Sequence, residues 1–126
     1  MPDLTQSNED YLEAILELSH NEEPVRSVDI ADHLKVSRAS VHKAVQLLQE
    51  AGLVDHAYYG QINLTDVGHR RAKEILQRHV MLRRFLTDVL ELDEATADQD
   101  ACRMEHAISI KTRDHWLAWL ERFLES

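Results

Sequence analysis

The sequence has few of the residues that form disulfides or interrupt helices. Its 126 residues include one cysteine, two prolines and three glycines. A single cysteine, Cys102, excludes an intrachain disulfide, and so few glycines and prolines favour long helices over a many-turned β fold. No apolar run approaches the length of a membrane span, and the first residues lack the apolar core of a signal peptide. We therefore expect a cytoplasmic, mainly α-helical protein.

Basic residues are also few, but they are concentrated. The chain has 14 Lys and Arg against 23 Asp and Glu, a formal net charge of −9. Residues 1–34 hold nine acids and one base, whereas residues 35–49 hold three bases and no acid. A short basic segment inside an acidic chain indicates a local interaction surface. The net charge therefore does not exclude nucleic acid as a partner.

The N-terminal half has the element order of a winged helix-turn-helix. Apolar residues at helical spacing predict a first helix over residues 5–20, with Ser7 or Asn8 as its cap. A helix-turn-helix follows, and then the alternating stretch LVDHAYYGQINLT predicts a β-hairpin, which would be the wing. We interpret residues 1–64 as a DNA-binding domain.

The helix-turn-helix is predicted within VDIADHLKVSRASVHKAVQLLQEAGLV. Ser27 is expected to cap its short first helix and Val36 to fill the turn as a core residue. Ser37 is expected to cap the longer second helix, which Gly52 ends. The outward face of that second helix carries hydrogen-bonding and cationic groups suited to phosphates and base edges. The predicted DNA-binding residues are Ser37, Arg38, Ala39, Ser40 and Lys43, with His42 and, at the wing tip, Tyr58 and Gln61 as further candidates.

Long helices are predicted for the C-terminal half. Thr65 opens one that runs from residue 66 to about residue 90, a second covers 94–108, and a third continues through Leu124. The third carries an apolar stripe at i, i+3, i+4 and i+7. We expect part of this stripe to pack inside the subunit and part across a two-fold axis; its members are Trp116, Trp119, Leu120 and Phe123.

A second constellation is chemical. Cys102, Glu105 and His106 are spaced i, i+3, i+4, so they project from one face of a helix. Thiolate, carboxylate and imidazole on one face are ligands for a divalent transition metal. Asp10 and Glu13 repeat an i, i+3 spacing on the first helix. Each residue taken alone also has an ordinary structural interpretation, as a solvated acid or a small core residue.

The whole chain, roughly residues 5–124, resembles the diphtheria-toxin-repressor and manganese-transport-regulator family of metal-dependent transcriptional repressors. The resemblance is carried by EDYLEAI at 9–15, the helix-turn-helix segment, LTDVGHRRA, RHVMLRRFL at 78–86 and DACRMEHAIS at 100–109. It implies a homodimer with an N-terminal winged helix and, over residues 65–126, a helical metal-binding and dimerisation domain. It also implies six metal ligands: Asp10, Glu13, His79, Cys102, Glu105 and His106.

The chain departs from both branches of that family. Iron-responsive members typically have Met where this chain has Asp10, whereas manganese-responsive members typically have Glu where it has Cys102. A second site of the iron branch uses His79 with a carboxylate and another His; those positions here look like Arg83 and Asp98, and Arg83 cannot ligate. The thiolate favours Fe(II) over Mn(II), and one or two ions per subunit fit the donors, with Co(II) or Zn(II) as substitutes in vitro.

We therefore expect a metal-activated repressor that binds operator DNA, controls metal-uptake genes and needs no membrane. A winged-helix repressor that senses a small organic ligand or a redox change at Cys102 is the alternative. A metalloenzyme is a third class, but no separate general base in a glycine-built pocket supports it, and it would leave the DNA-reading segment unexplained. We expect no enzymatic activity.

Overall fold

A computed structural model describes residues 4–19, 23–56 and 60–124 of the chain. Its residues pack into two compact units, Met1–Ile75 and Leu76–Ser126. The predicted mainly α-helical fold with an N-terminal winged helix-turn-helix is confirmed. This division by packing falls inside a helix, whereas the predicted boundary at residues 64–65 is a division by function and stays a prediction. Within the described ranges, no helix is long and apolar enough to span a membrane.

The first unit is built on three helices. They are α1 (Gln6–Leu18), α2 (Ser27–Leu34) and α3 (Arg38–Glu50). The apolar face of α1 packs against the other two through Tyr11, Leu12 and Ile15, which are all buried. The helix has Thr5 as its cap, two or three residues before the predicted one, since Thr5 Oγ1 accepts a hydrogen bond from the Asn8 amide at 3.1 Å. Ser7 and Asn8 are thus inside the helix, and their prediction as caps was wrong.

The turn between α2 and α3 differs from expectation in one respect. Lys35 adopts a left-handed conformation with φ of 56°, and the amide of Val36 donates to the carbonyl of Ala31 at 3.0 Å. Val36 therefore closes the turn through its backbone, while its side chain is 37% exposed. The prediction that Val36 fills the core was wrong, because Leu34, one residue before the turn, packs against the core instead.

A small sheet flanks these helices. Its strands are β1 (Val25–Arg26), β2 (Val54–His56) and β3 (Gln61–Leu64), in the order β1-β3-β2 with antiparallel pairing. The predicted hairpin is confirmed as β2 and β3, which pair Val54 with Leu64; Tyr58 lies outside the described residues. The short β1, which pairs Val25 with Ile62, was not predicted because two residues show no alternation. Its extended backbone makes Arg26 the cap residue of α2, so Ser27 is the first helical residue and not the predicted cap.

Thr65 joins the sheet to α4 (Asp66–Arg84). Its hydroxyl donates to the Gly52 carbonyl at 2.7 Å and accepts from the Gly68 amide at 3.0 Å, which confirms the predicted start of the long helix. A Cβ atom at Gly68 would lie 1.8 Å from the Leu53 carbonyl oxygen. Only glycine therefore allows this close approach between α4 and Leu53, which lies between α3 and β2.

The second unit contains the end of α4, which continues as a π-helical turn at Phe85–Val89, followed by α5 (Glu94–Ala107) and α6 (Ile110–Leu124). Asp93 caps α5, accepting from the Thr96 amide at 3.0 Å. The buried apolar cluster of the second unit is small and consists of Leu82, Leu86, Ala97, Ala101 and Leu120. The predicted stripe on α6 divides, since Leu120 is fully buried whereas Trp119 and Phe123 are 42% and 53% exposed.

Candidate metal centre and DNA-reading surface

One face of α3 is committed to the core, and the opposite face is open. Val41, Ala44, Val45 and Leu48 are buried. Ser37 caps the helix as predicted, accepting from the Ser40 amide at 3.1 Å, and donates from its own hydroxyl to Ser40 Oγ. The side chains predicted to contact DNA are all exposed: Ser37, Arg38, Ala39, Ser40 and Lys43. The open face therefore presents hydroxyl, guanidinium and ammonium donors at the start of a helix, where backbone amides also point outward.

The six predicted metal ligands are distributed over both compact units. Asp10 and Glu13 lie on α1 of the first unit and are partly buried. The other four belong to the second unit. His79 lies on α4, and Cys102, Glu105 and His106 share one face of α5, as the spacing predicted.

The structure brings His79 and Glu105 together. The Nδ1 atom of His79 is 3.8 Å from Oε2 of Glu105, while its Nε2 atom is 2.9 Å from Oδ1 of Asp98. A carboxylate only accepts hydrogen bonds, so Nε2 carries the N–H that donates to Asp98, and Nδ1 is the ring nitrogen on the side of Glu105. Asp98, which the sequence comparison placed at a second-site position of the iron branch and not among the six ligands, thus holds the ring orientation of His79. Its signal was the i, i+4 spacing to Cys102 on α5.

Glu105 is the deeply buried carboxylate of this group, at 4% exposure. Arg78 donates from Nε to Oε1 of Glu105, and the Arg78 side chain is itself only 10% exposed. Burial alone would raise the pKa of the Glu105 carboxyl, but the interaction with His79 and the charge of Arg78 outweigh it and hold that pKa below its ordinary value. Glu105 is therefore ionised at neutral pH, the state in which a carboxylate binds a cation.

Arg83 also approaches Asp98, with its Nη1 atom 3.9 Å from Oδ1. The result is a chain of alternating groups across α4 and α5, in which basic side chains separate two carboxylates. In order, it runs Arg83, Asp98, His79, Glu105 and Arg78. Arg83 and Asp98, the two positions at which the chain departs from the second site of the iron branch that it resembles, thus pair with each other.

Across the described ranges, no three His, Cys, Asp or Glu side chains are grouped so as to hold a metal ion. His79 does not form such a group with its two carboxylate neighbours, because Asp98 contacts its Nε2 atom and Glu105 faces its Nδ1 atom. The pair Nδ1 and Oε2 nevertheless fits a metal, since two atoms bound to one ion at about 2.1 Å lie roughly 3–4 Å apart. Cys102 and His106, on the same face of α5, add donors suited to a transition metal.

Comparison with known proteins supports both halves of this picture. Residues 3–62 match the family model for the N-terminal DNA binding domain of iron dependent repressors. Residues 65–125 match the model for their metal binding and dimerisation domain. The chain belongs to the iron-dependent repressor family. It therefore carries the DNA-binding and dimerisation domains of a metal-dependent transcriptional repressor, and its relatives are regulators rather than enzymes.

Individual relatives agree with this family. A helix-turn-helix regulator of Methanocaldococcus jannaschii is 36% identical, over 95% of this chain and 97% of that protein. The diphtheria toxin repressor of Corynebacterium diphtheriae is 32% identical over 86% of this chain. The matched segment covers 48% of the length of that repressor. A solved manganese-dependent transcriptional repressor in complex with manganese is 30% identical over 90% of this chain and 52% of the other, with a TM-score of 0.75.

Proposed function

We propose that this repressor is activated by Fe(II) or Mn(II) and controls genes for metal uptake, acting in the cytoplasm where its operator DNA is located. The observation that carries the proposal is the arrangement of His79, whose Nδ1 faces the ionised Glu105 while Asp98 holds the other ring nitrogen. Histidines that bind metals commonly donate their second ring N–H to a carboxylate in this way. The family assignment gives no support to an organic effector or a redox change at Cys102.

The ligands that we propose form two groups by the kind of support they have. His79 and Glu105 are supported by their mutual distance, and Cys102 and His106 by their position on the same face of α5. Asp10 and Glu13 are proposed on the sequence resemblance. Asp98 and Arg83 are proposed as supporting residues and not as ligands of a second ion, because Asp98 pairs with both His79 and Arg83.

The nature of the metal depends on Cys102. Carboxylates and imidazoles suit both Fe(II) and Mn(II), whereas a thiolate favours the softer ion, so we propose Fe(II) ahead of Mn(II). Zn(II) and Co(II) are expected to bind in vitro by the same reasoning. One or two ions per subunit would be compatible with six donors.

A bound divalent cation would supply positive charge beside carboxylates in a chain whose formal net charge is −9. Glu105 would then exchange part of its interaction with Arg78 for the cation, while Asp98 keeps the ring of His79 in place. Metal can promote DNA binding only as far as it binds the DNA-competent arrangement more tightly than others. Removing net negative charge also favours approach to phosphates.

The dimer surface that we propose is the outward stripe of α6. Trp119 stacks on Phe123 with ring centroids 4.7 Å apart and an interplanar angle of 13°, and both side chains are about half exposed. Phe85 contacts Trp116 and Trp119 edge-on from the inner side. A stacked aromatic pair open to solvent within a dimerisation domain is the kind of surface that a second copy would cover.

The test of the metal assignment is the substitution Cys102→Glu, with Cys102→Ser as its partner variant. Competition titrations of chelated protein would measure the affinities for Fe(II), under anaerobic conditions, and for Mn(II). We expect Cys102→Glu to shift the preference towards Mn(II) by roughly tenfold or more, and Cys102→Ser to weaken Fe(II) binding most. Unchanged affinities for both ions in both variants would contradict the role of Cys102 as a ligand.

A further inference from the structure

A basic cavity lies beside the DNA-reading helix, at a place that the sequence did not indicate. Its volume is about 450 Å³, and the start of α2, the start of α3 and the wing surround it. The cationic and imidazole side chains that line it are Arg26, Arg38, His42 and His56. Arg26 is the single base among the nine acids of residues 1–34. In the folded unit, Arg26 thus lies beside the short basic segment at 35–49.

We propose that this cavity binds a backbone phosphate of the DNA duplex whose groove α3 reads. The inference deepens the proposed function, since it rests on DNA being the partner of α3. It assigns contact roles to Arg26 and His56, which lie on β1 and β2 and far from α3 in sequence. Arg38 and His42 join them from the first turns of α3.

The donors in the cavity suit a phosphate. Two guanidinium groups present forked N–H donors, and each imidazole carries a ring N–H whether neutral or protonated. The rings of His42 and His56 have centroids 6.2 Å apart and are tilted by 52°, so one small anion can reach both. Among the described residues that line the cavity there is no carboxylate.

The backbone at the start of α2 adds a second, independent feature. Ser27 and Val28, the first two residues of this helix, also line the cavity. The amides of a first helical turn have no partner within the helix and are commonly satisfied by a side-chain cap. A side-chain cap is present at the start of α1, α3 and α5. At the start of α2, the side chain of the cap residue Arg26 makes no capping hydrogen bond. An anion in the cavity would meet these amides as well as the cationic side chains.

Location favours duplex DNA over a free anion as the source of the phosphate. The cavity shares Arg38 with the predicted DNA-reading residues, and it borders the wing. A phosphate bound there would hold the duplex next to α3 without reading its sequence. An acidic chain needs such localised contacts, because its overall field repels DNA.

The experiment compares Arg26→Gln and the double variant Arg26→Gln with His56→Gln against wild type. Lys111→Gln on α6, an exposed residue outside the cavity, loses the same charge and serves as the control. Binding to a random-sequence 30-base-pair duplex is measured between 50 and 200 mM salt, with and without Mn(II). We expect Arg26→Gln to weaken binding roughly tenfold and to reduce the salt slope by about 1, and Lys111→Gln to change neither by much.

Two outcomes would overturn the inference. One is a salt slope in Arg26→Gln and the double variant equal to that of wild type, with circular dichroism showing intact folds. The other is tight binding of inorganic phosphate by the wild-type protein that does not compete with the duplex, which would indicate a site for a free anion. A missing effect of Mn(II) on DNA binding would instead count against the proposed function and leave the slope comparison interpretable.

Discussion

The two compact units differ in the size of their buried apolar clusters and in the charged groups beside them. The first unit buries a cluster of fifteen residues, all apolar or aromatic, and keeps its DNA-reading side chains exposed. The second unit buries a cluster of only five, and beside it lies the buried carboxylate of Glu105 with the guanidinium of Arg78. The first unit also buries one carboxylate, Glu9 at 6% exposure, but its cluster of apolar residues is three times as large. With the match of residues 65–125 to a metal binding and dimerisation domain, this difference supports our proposal that the second unit contributes most of the metal ligands.

The largest expected effect is a loss of unfolding free energy when a side chain is removed from the small apolar cluster of the second unit. Leu120→Ala truncates the one side chain of α6 that belongs to the cluster of five and should cost about 3 kcal/mol of unfolding free energy. Both tryptophans, Trp116 and Trp119, lie on α6, so tryptophan fluorescence during urea unfolding reports this unit. We expect the fluorescence transition to move to much lower urea.

The matched control for Leu120→Ala is Phe123→Ala, three residues along the same helix. Phe123 is 53% exposed, so its removal should leave the unfolding free energy of the subunit within about 1 kcal/mol while weakening the dimer. Light scattering over a dilution series measures that dimer. Equal losses of subunit stability in the two variants would contradict the division of the α6 stripe into inner and outer residues.

A second, smaller effect concerns the residue that orients His79. Asp98→Ala should lower the affinity for Mn(II) and Fe(II) by about 10- to 100-fold, because the imidazole loses the acceptor that fixes its tautomer. Asp98→Asn keeps a side-chain oxygen that can accept from Nε2 and should retain most of the affinity. Nitrogen-15 spectra of the histidine rings would report the tautomer directly. Full affinity in Asp98→Ala, with His79 still protonated at Nε2, would show that Asp98 has no positioning role.

The smallest effect separates ordinary helix capping from metal sensing within the second unit. Hydrogen bonding from the Thr96 amide and then its side chain lowers the pKa of the exposed Asp93, so its ionised form is favoured in the folded state. Stability from this source is present above the unfolded pKa and is lost as pH falls through the lower folded pKa. Asp93→Asn retains a cap and should flatten the acid limb of thermal stability slightly; an unchanged limb would contradict the assignment.

Local sequence signals predicted much of the fold. Ser37 and Thr65 were identified as helix starts because their hydroxyls act within one turn of chain, and Gly52 as a helix stop because its φ of 77° favours glycine. The shared face of Cys102, Glu105 and His106 follows from helical periodicity alone. These features depend on neighbours within about four residues.

The features that the sequence did not predict depend on contacts across the fold. The role of Arg26 in the cavity requires β1 to pair with β3, and the approach of Asp98 to His79 requires α4 to pack beside α5. The outward position of Val36 follows from the left-handed turn at Lys35, which a lysine does not signal. No spacing rule along the chain encodes such contacts, so they could not be predicted from the sequence.

The central claim is that metal binding by this chain controls its binding to DNA. Its most direct test measures the affinity of chelated and Fe(II)- or Mn(II)-loaded protein for a duplex selected from random DNA by the loaded protein, with His106→Gln as the ligand variant. We predict that loading tightens DNA binding of wild type by about 10- to 100-fold and leaves His106→Gln nearly unchanged. Equal DNA affinity of the chelated and loaded wild-type protein would contradict the claim.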